Sequence, residues 1–149
     1  METQTTDRVR AHTAQEINQK LDAEAAQRIQ QYVHRSAEEI TQRIEELDRE
    51  WDTERLLEMN ASALAFTGVV LGITQNKKWL ILPSIVLPFL FQHAVQGWCP
   101  PLPILRRLGV RSRKEIDREK FALKALRGDF QHVSAASGDS ASAIQAAHK

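Results

Sequence analysis

The side chains of this 149-residue chain with the most chemical potential gather in one stretch: Gln92, His93, Gln96 and the single cysteine, Cys99, followed by Arg106 and Arg107. A thiolate is the form of cysteine that attacks electrophiles or binds metal; neighbouring arginines lower a thiol's pKa, whereas apolar burial raises it. Gln92, Gln96 and Cys99 stand at i, i+4 and i+7, one face of a helix, with His93 beside them. A Cys99–His93 pair would form only if the helix unwound between them. Three readings follow. Cys99 serves a thiol-dependent redox or sulfur relay; or the glutamines form a hydrated or interhelical hydrogen-bond patch and Cys99 packs at an interface; or the Gln92–Gln96 face forms a ligand, proton or small-solute path. Elsewhere there is no Gly-rich phosphate loop, Cys-x-x-Cys, His-Glu-x-x-His or nucleophile elbow, and the carboxylates alternate with bases on solvated helical faces. His132 and His148 stand isolated, without metal-ligand spacing. No catalytic residue, metal site, cofactor or enzymatic activity is expected from this pattern.

The elements that carry those residues are two uncharged stretches, Met59–Asn76 and Trp79–Leu105, parted only by Lys77 and Lys78. A bilayer's hydrocarbon, roughly 30 Å thick, takes about 20 helical residues to cross. Both stretches qualify, with spans at about 59–76 and 79–98. The expected architecture is all-α, a transmembrane helical hairpin flanked by amphipathic cytoplasmic helices. In the first span Ala61, Ala65, Gly68 and Gly72 share one face, where close backbone approach supplies packing energy in lipid. That face is suited either to the second span or to a second copy of the chain. Trp79 and Trp98 bracket the second span as interfacial anchors, and Pro83 and Pro88 predict a bend between them. Cys99-Pro100-Pro101-Leu102-Pro103 predicts an extended exit, with Arg106 and Arg107 at the membrane interface.

Charge divides the chain into segments: residues 1–58 carry net −6, residues 59–105 carry +2 and residues 106–149 carry +5. The polar start, Met1 to Lys20, lacks the apolar core of a signal peptide, so insertion is expected to rely on the spans. Ile17, Leu21, Ala25, Ile29 and Val33 form a thin stripe over the next helix; Ser36 and Glu39 read as a capping box that starts another. Ile40, Ile44, Leu47 and Trp51 follow 4-3-4 spacing, the seam of a short coiled coil, open to self-association or to local packing. Residues 111–130 read as a basic amphipathic helix. It begins at a Ser112/Glu115 capping box, has Ile116, Leu123, Leu126 and Phe130 near one face, and stops at Gly128. It is suited either to anionic lipid or to the acidic N-terminal helices; its alternating charge speaks against nucleic acid. From residue 131 to 149 the tail is too poor in apolar residues to fold.

Gln92, then Gly97-Trp98-Cys99-Pro100, then Leu108-Gly109 after a basic segment, resemble the small two-span bacterial inner-membrane domains of unknown function, typified by the transmembrane region of the YgaP-type rhodanese protein. The likeness covers roughly residues 60–110. It implies a hairpin in the bacterial inner membrane, often dimeric, with no settled activity. The rhodanese half is missing: there are no strand-patterned segments and no second cysteine for an anion-binding loop, so sulfur transfer is not carried over. Basic residues near the spans number nine on the flanks (Arg49, Arg55 and seven after Leu105) against two in the loop, which places both termini in the cytoplasm. The expected function is an integral, self-associating scaffold or accessory protein whose partners are the lipid bilayer, a second copy and a protein the sequence does not identify.

Overall fold

The computed structural model describes residues 7–131, Val133, Ala141 and residues 143–145. The segment expected to be a disordered tail, with His132 and His148, lies almost wholly outside them. All regular structure among the described residues is helical: α1 (Arg8–Ala11), α2 (Gln15–Tyr32), α3 (Ala37–Arg49), α4 (Thr53–Thr74), a 3-10 turn at Lys77–Leu80, α5 (Ile81–Gln96), α6 (Leu102–Arg107) and α7 (Arg113–Arg127). Two compact units result, residues 7–20 with Trp51–Arg113, and Leu21–Glu50 with the chain from Lys114.

In the first unit α4 and α5 are long, apolar and packed against each other as a hairpin. Asp52 caps α4, its carboxylate accepting from the Arg55 N–H at 2.8 Å. Asn76 tightens the turn by accepting from Lys78 N–H at 2.9 Å. The contact runs along the small-residue face. A Cβ at Gly68 would overlap Pro83 Cδ, and one at Gly72 would come within 2.6 Å of Leu80 Cδ2. The glycines are therefore filled within the chain, the first of the two uses that their spacing allowed. The outward faces stay bare: Phe66, Ile73, Ile81 and Phe91 are 66–78% exposed.

Three features depart from the sequence expectations. The prolines after Cys99 do not force an extended exit; they open α6, with Pro101 as its N-cap and Pro103 in its first turn. Proline's fixed φ suits a helix start, where its missing N–H has no bond to make. Trp51 does not continue the α3 seam, because α3 ends at Arg49; its ring is exposed and lies under the Arg55 guanidinium at 4.5 Å. Leu126 is 42% exposed and apart from the apolar face of α7, since ten residues beyond Ile116 is about 80° short of a whole number of helical turns.

The second unit is built on α3 and α7. Ile40, Ile44 and Leu47 form one core with Ile116 and Leu123, and Tyr32 at the end of α2 covers it. The α3 seam is thus occupied by the basic helix. Ser36 caps α3 in a full capping box with Glu39. The Glu119 carboxylate, 1% exposed, receives Arg28 Nε at 3.1 Å and Arg43 Nη2 at 2.9 Å. Lys120 pairs with Asp48, and Arg127 donates to Thr41 at 2.6 Å and to Asp129. The opposite charges of the flanks here meet side chain to side chain.

Candidate functional site

The residues singled out by type converge where α5 ends and α6 begins, and local backbone chemistry makes the corner. Gly97 closes α5 with φ +78, its N–H bonded to His93 O at 2.7 Å. A left-handed residue there is tolerated best by glycine. A Cβ would also overlap Arg8, so the position excludes side chains twice over. The turn sends Cys99 away from the helical face that Gln92 and Gln96 continue. Those two contact each other at 3.4 Å at the surface, whereas Cys99 is buried at 3% exposure. The face shared by Gln92, Gln96 and Cys99 in sequence is therefore divided in the fold. At the far end of α6, Gly109 takes φ +89 and the N–H groups of Gly109 and Val110 bond Arg106 O and Leu105 O, a Schellman cap. Gly97-Trp98-Cys99-Pro100 and Leu108-Gly109 are thus a helix–turn–helix corner and its stop. Trp98 packs on Val9, Leu57, Cys99 and Leu102, while Trp79, at the other end of the hairpin, is 45% exposed.

What braces the corner comes from the far N-terminal side. Asp7 caps α1, accepting from the Val9 and Arg10 N–H groups at 3.1 and 3.2 Å, and its second oxygen accepts from Ser112 Oγ at 2.5 Å. Arg8 Nη1 donates to Ala94 O at 2.6 Å, placing a cation on the carbonyl end of α5 where the helix dipole favours one. Arg106, expected at the membrane interface, is instead 1% exposed. Its guanidinium donates to Thr13 Oγ1 at 3.1 Å, Val110 O at 3.0 Å and Asn18 Oδ1 at 3.0 Å. Arg107, one residue on, is exposed. Thr53 also binds the Arg111 carbonyl, through N–H at 2.9 Å and Oγ1 at 3.0 Å. Nothing local in the sequence marks Asp7, Arg8, Thr13 or Asn18 for these roles, because each partner lies about 90 or more residues away.

Between the corner and the hairpin is a cavity of about 330 Å³. Leu57, Ala61 and Leu64 of α4 line one side, Phe89 and His93 of α5 another, and Cys99 with Pro101 the third. Cys99 and His93 thus meet at one space, which their spacing on a continuous helix would not allow. Burial pushes the Cys99 thiol above its usual value, with a Leu102 backbone bond partly offsetting this. At neutral pH the sulfur is a protonated, weakly reactive group. Among the described residues no group of three or more His, Cys, Asp or Glu is placed to hold a metal ion. Compared with protein-family models, curated proteins and solved structures, the chain matches none.

Proposed function

We propose that this protein is an integral membrane hairpin of the bacterial inner membrane, a scaffold or accessory protein that presents cytoplasmic helices to a protein partner, without catalysis of its own. The observation that carries the reading is the bare apolar surface of the hairpin. The best membrane-length windows of the two helices are only 22% and 11% buried, whereas the core helix of a soluble protein hides most of such a window. Contiguous apolar surface of this kind marks a lipid or protein interface. The resemblance of Gln92, Gly97-Trp98-Cys99-Pro100 and Leu108-Gly109 to two-span inner-membrane domains supports the same reading. Self-association belongs to the proposal, and its surface is the outward face of α4 and α5, because the glycine face is filled within the chain.

Washing membranes with alkaline carbonate tests the core of it: the protein stays in the pellet, and its release would reject the membrane reading. A thiol redox or sulfur relay at Cys99 is the rival, favoured by the cavity shared with His93 and disfavoured by a buried thiol of raised pKa. Cys99→Ser keeps insertion and assembly and rescues a deletion strain under oxidative or sulfur stress. Loss of rescue at normal membrane levels would decide for the relay.

A further inference from the structure

The cavity at the corner has the make-up of a ligand site. Its volume, about 330 Å³, is at the low end of the ~300–1,000 Å³ of small-molecule pockets, which are mostly apolar with a few placed polar groups. No charged side chain lines it, so a phosphate headgroup would find no counter-charge and a neutral occupant is favoured. Two polar groups point to more than a hydrocarbon. The His93 ring lines the cavity and is 8% exposed, and its Nδ1 has no hydrogen-bond partner. Asn60, also in the lining, spends its Nδ2 on Leu56 O at 2.7 Å, which leaves its amide oxygen to accept. A buried polar atom without a partner costs free energy that an acyl chain cannot return, whereas a ring carbonyl or hydroxyl can. Cys99, Pro100 and Pro101 of the corner bound the cavity on one side, with Trp98 packed against the same Leu57–Cys99 cluster, and the apolar hairpin continues on the other, room for a ring with a hydrocarbon tail.

We propose that this cavity binds the ring of a neutral, oxygen-bearing membrane lipid of the quinone class, with His93 donating to one ring oxygen and Asn60 accepting from the hydroxyl of the reduced form. The proposal rests on the membrane reading, because the ligand reaches the site from the bilayer. No electron transfer is part of it.

The test uses the full chain in nanodiscs of synthetic phosphatidylcholine, titrated with decylubiquinone and read by quenching of Trp98 in a Trp51→Phe, Trp79→Phe background. The expected result is saturable quenching at one quinone per chain. His93→Leu weakens it about tenfold, the worth of roughly one buried hydrogen bond. Ala61→Phe, which fills the cavity, abolishes it; Leu105→Phe, filling it from α6 and read by the same Trp98 quenching, does the same should the first variant not fold. Quenching that only tracks quinone mole fraction and is equal in parent and His93→Leu overturns the proposal. So does displacement by decylbenzene as readily as by quinone, which marks an apolar-chain site. Carbonate extraction of the same preparation reports the membrane reading separately: a protein that stays in the membrane and shows no saturable quenching rejects the ligand alone.

Discussion

Arg106 shows how a residue's neighbours in sequence mislead about its place. Beside Arg107 and past a tryptophan it reads as a headgroup contact, yet it is a buried tie from α6 to Thr13 and Asn18. Arg106→Ala leaves those groups and the Val110 carbonyl without their donor, and is expected to cost about 3 kcal/mol in unfolding stability measured in mild detergent. Arg106→Lys recovers only part of it, since an ammonium lacks the planar fork that reaches three acceptors. Glu54 gives a pH signature. Burial raises its pKa above the ordinary 4.5, opposed by its own and the Arg113 backbone N–H and reinforced by Asp52 and Asp7; its Oε2 is buried without a partner. A carboxyl with a higher pKa folded than unfolded holds its proton more tightly in the folded chain, so stability falls as pH rises through the window above 4.5. Glu54→Gln is expected to raise the melting temperature at pH 7 and flatten this slope. The gain should vanish below the unfolded value; an unchanged pH profile would show that the carboxyl is solvated.

At the scale of elements, the α4–α5 contact and the helix caps separate two roles of glycine. Gly68 supplies space, since even a methyl group overlaps Pro83, while Gly109 supplies conformation, with φ +89 and open space around it. Gly68→Ile is expected to open the hairpin, and Gly68→Ala to cost about 1–3 kcal/mol by overpacking. Gly109→Ala costs about 1 kcal/mol through its left-handed backbone alone. Thermal unfolding in detergent ranks them, and a Gly68→Ile variant as stable as the parent would place the contact elsewhere. In the second unit the capping box of α3 stands free of such competition. Ser36→Ala is expected to cost about 1 kcal/mol, visible as earlier loss of helical circular dichroism.

For the whole molecule the proposed membrane reading turns on which end of the hairpin would face the cytoplasm. Within the first unit Asp7 meets Ser112, and Thr53 meets Arg111, so the chain entering the hairpin and the chain leaving it lie at one end. Burial of Arg106 removes one charge from the positive side of the count without altering its sign. A Lys78→Cys substitution in a Cys99→Ser background is expected to react with a membrane-impermeant maleimide added outside spheroplasts, and a phosphatase fused at Lys149 is expected to be silent. An active phosphatase and an unlabelled loop would reverse the orientation.

Helical class, the two apolar stretches, the α3 capping box and the glycine stop at Gly128 were legible in the sequence, because each depends on residues within about one or two helical turns of one another. The same locality explains what was misread. Proline after Cys99 has one meaning in an extended exit and another at a helix start, and Leu126 joins or leaves a face according to small angles accumulated over ten residues. The corner itself was hidden: Cys99 and His93 come to one cavity only because Gly97 turns the chain. Arg106 is buried only because a segment some 90 residues earlier supplies Thr13 and Asn18. The sequence by itself determined which stretches are apolar enough to cross a bilayer and where helices begin, since length, hydropathy and capping are local. Only the tertiary structure decided which face the glycines fill, which arginine is buried and where the thiol lies, because those depend on partners the chain brings together from a distance.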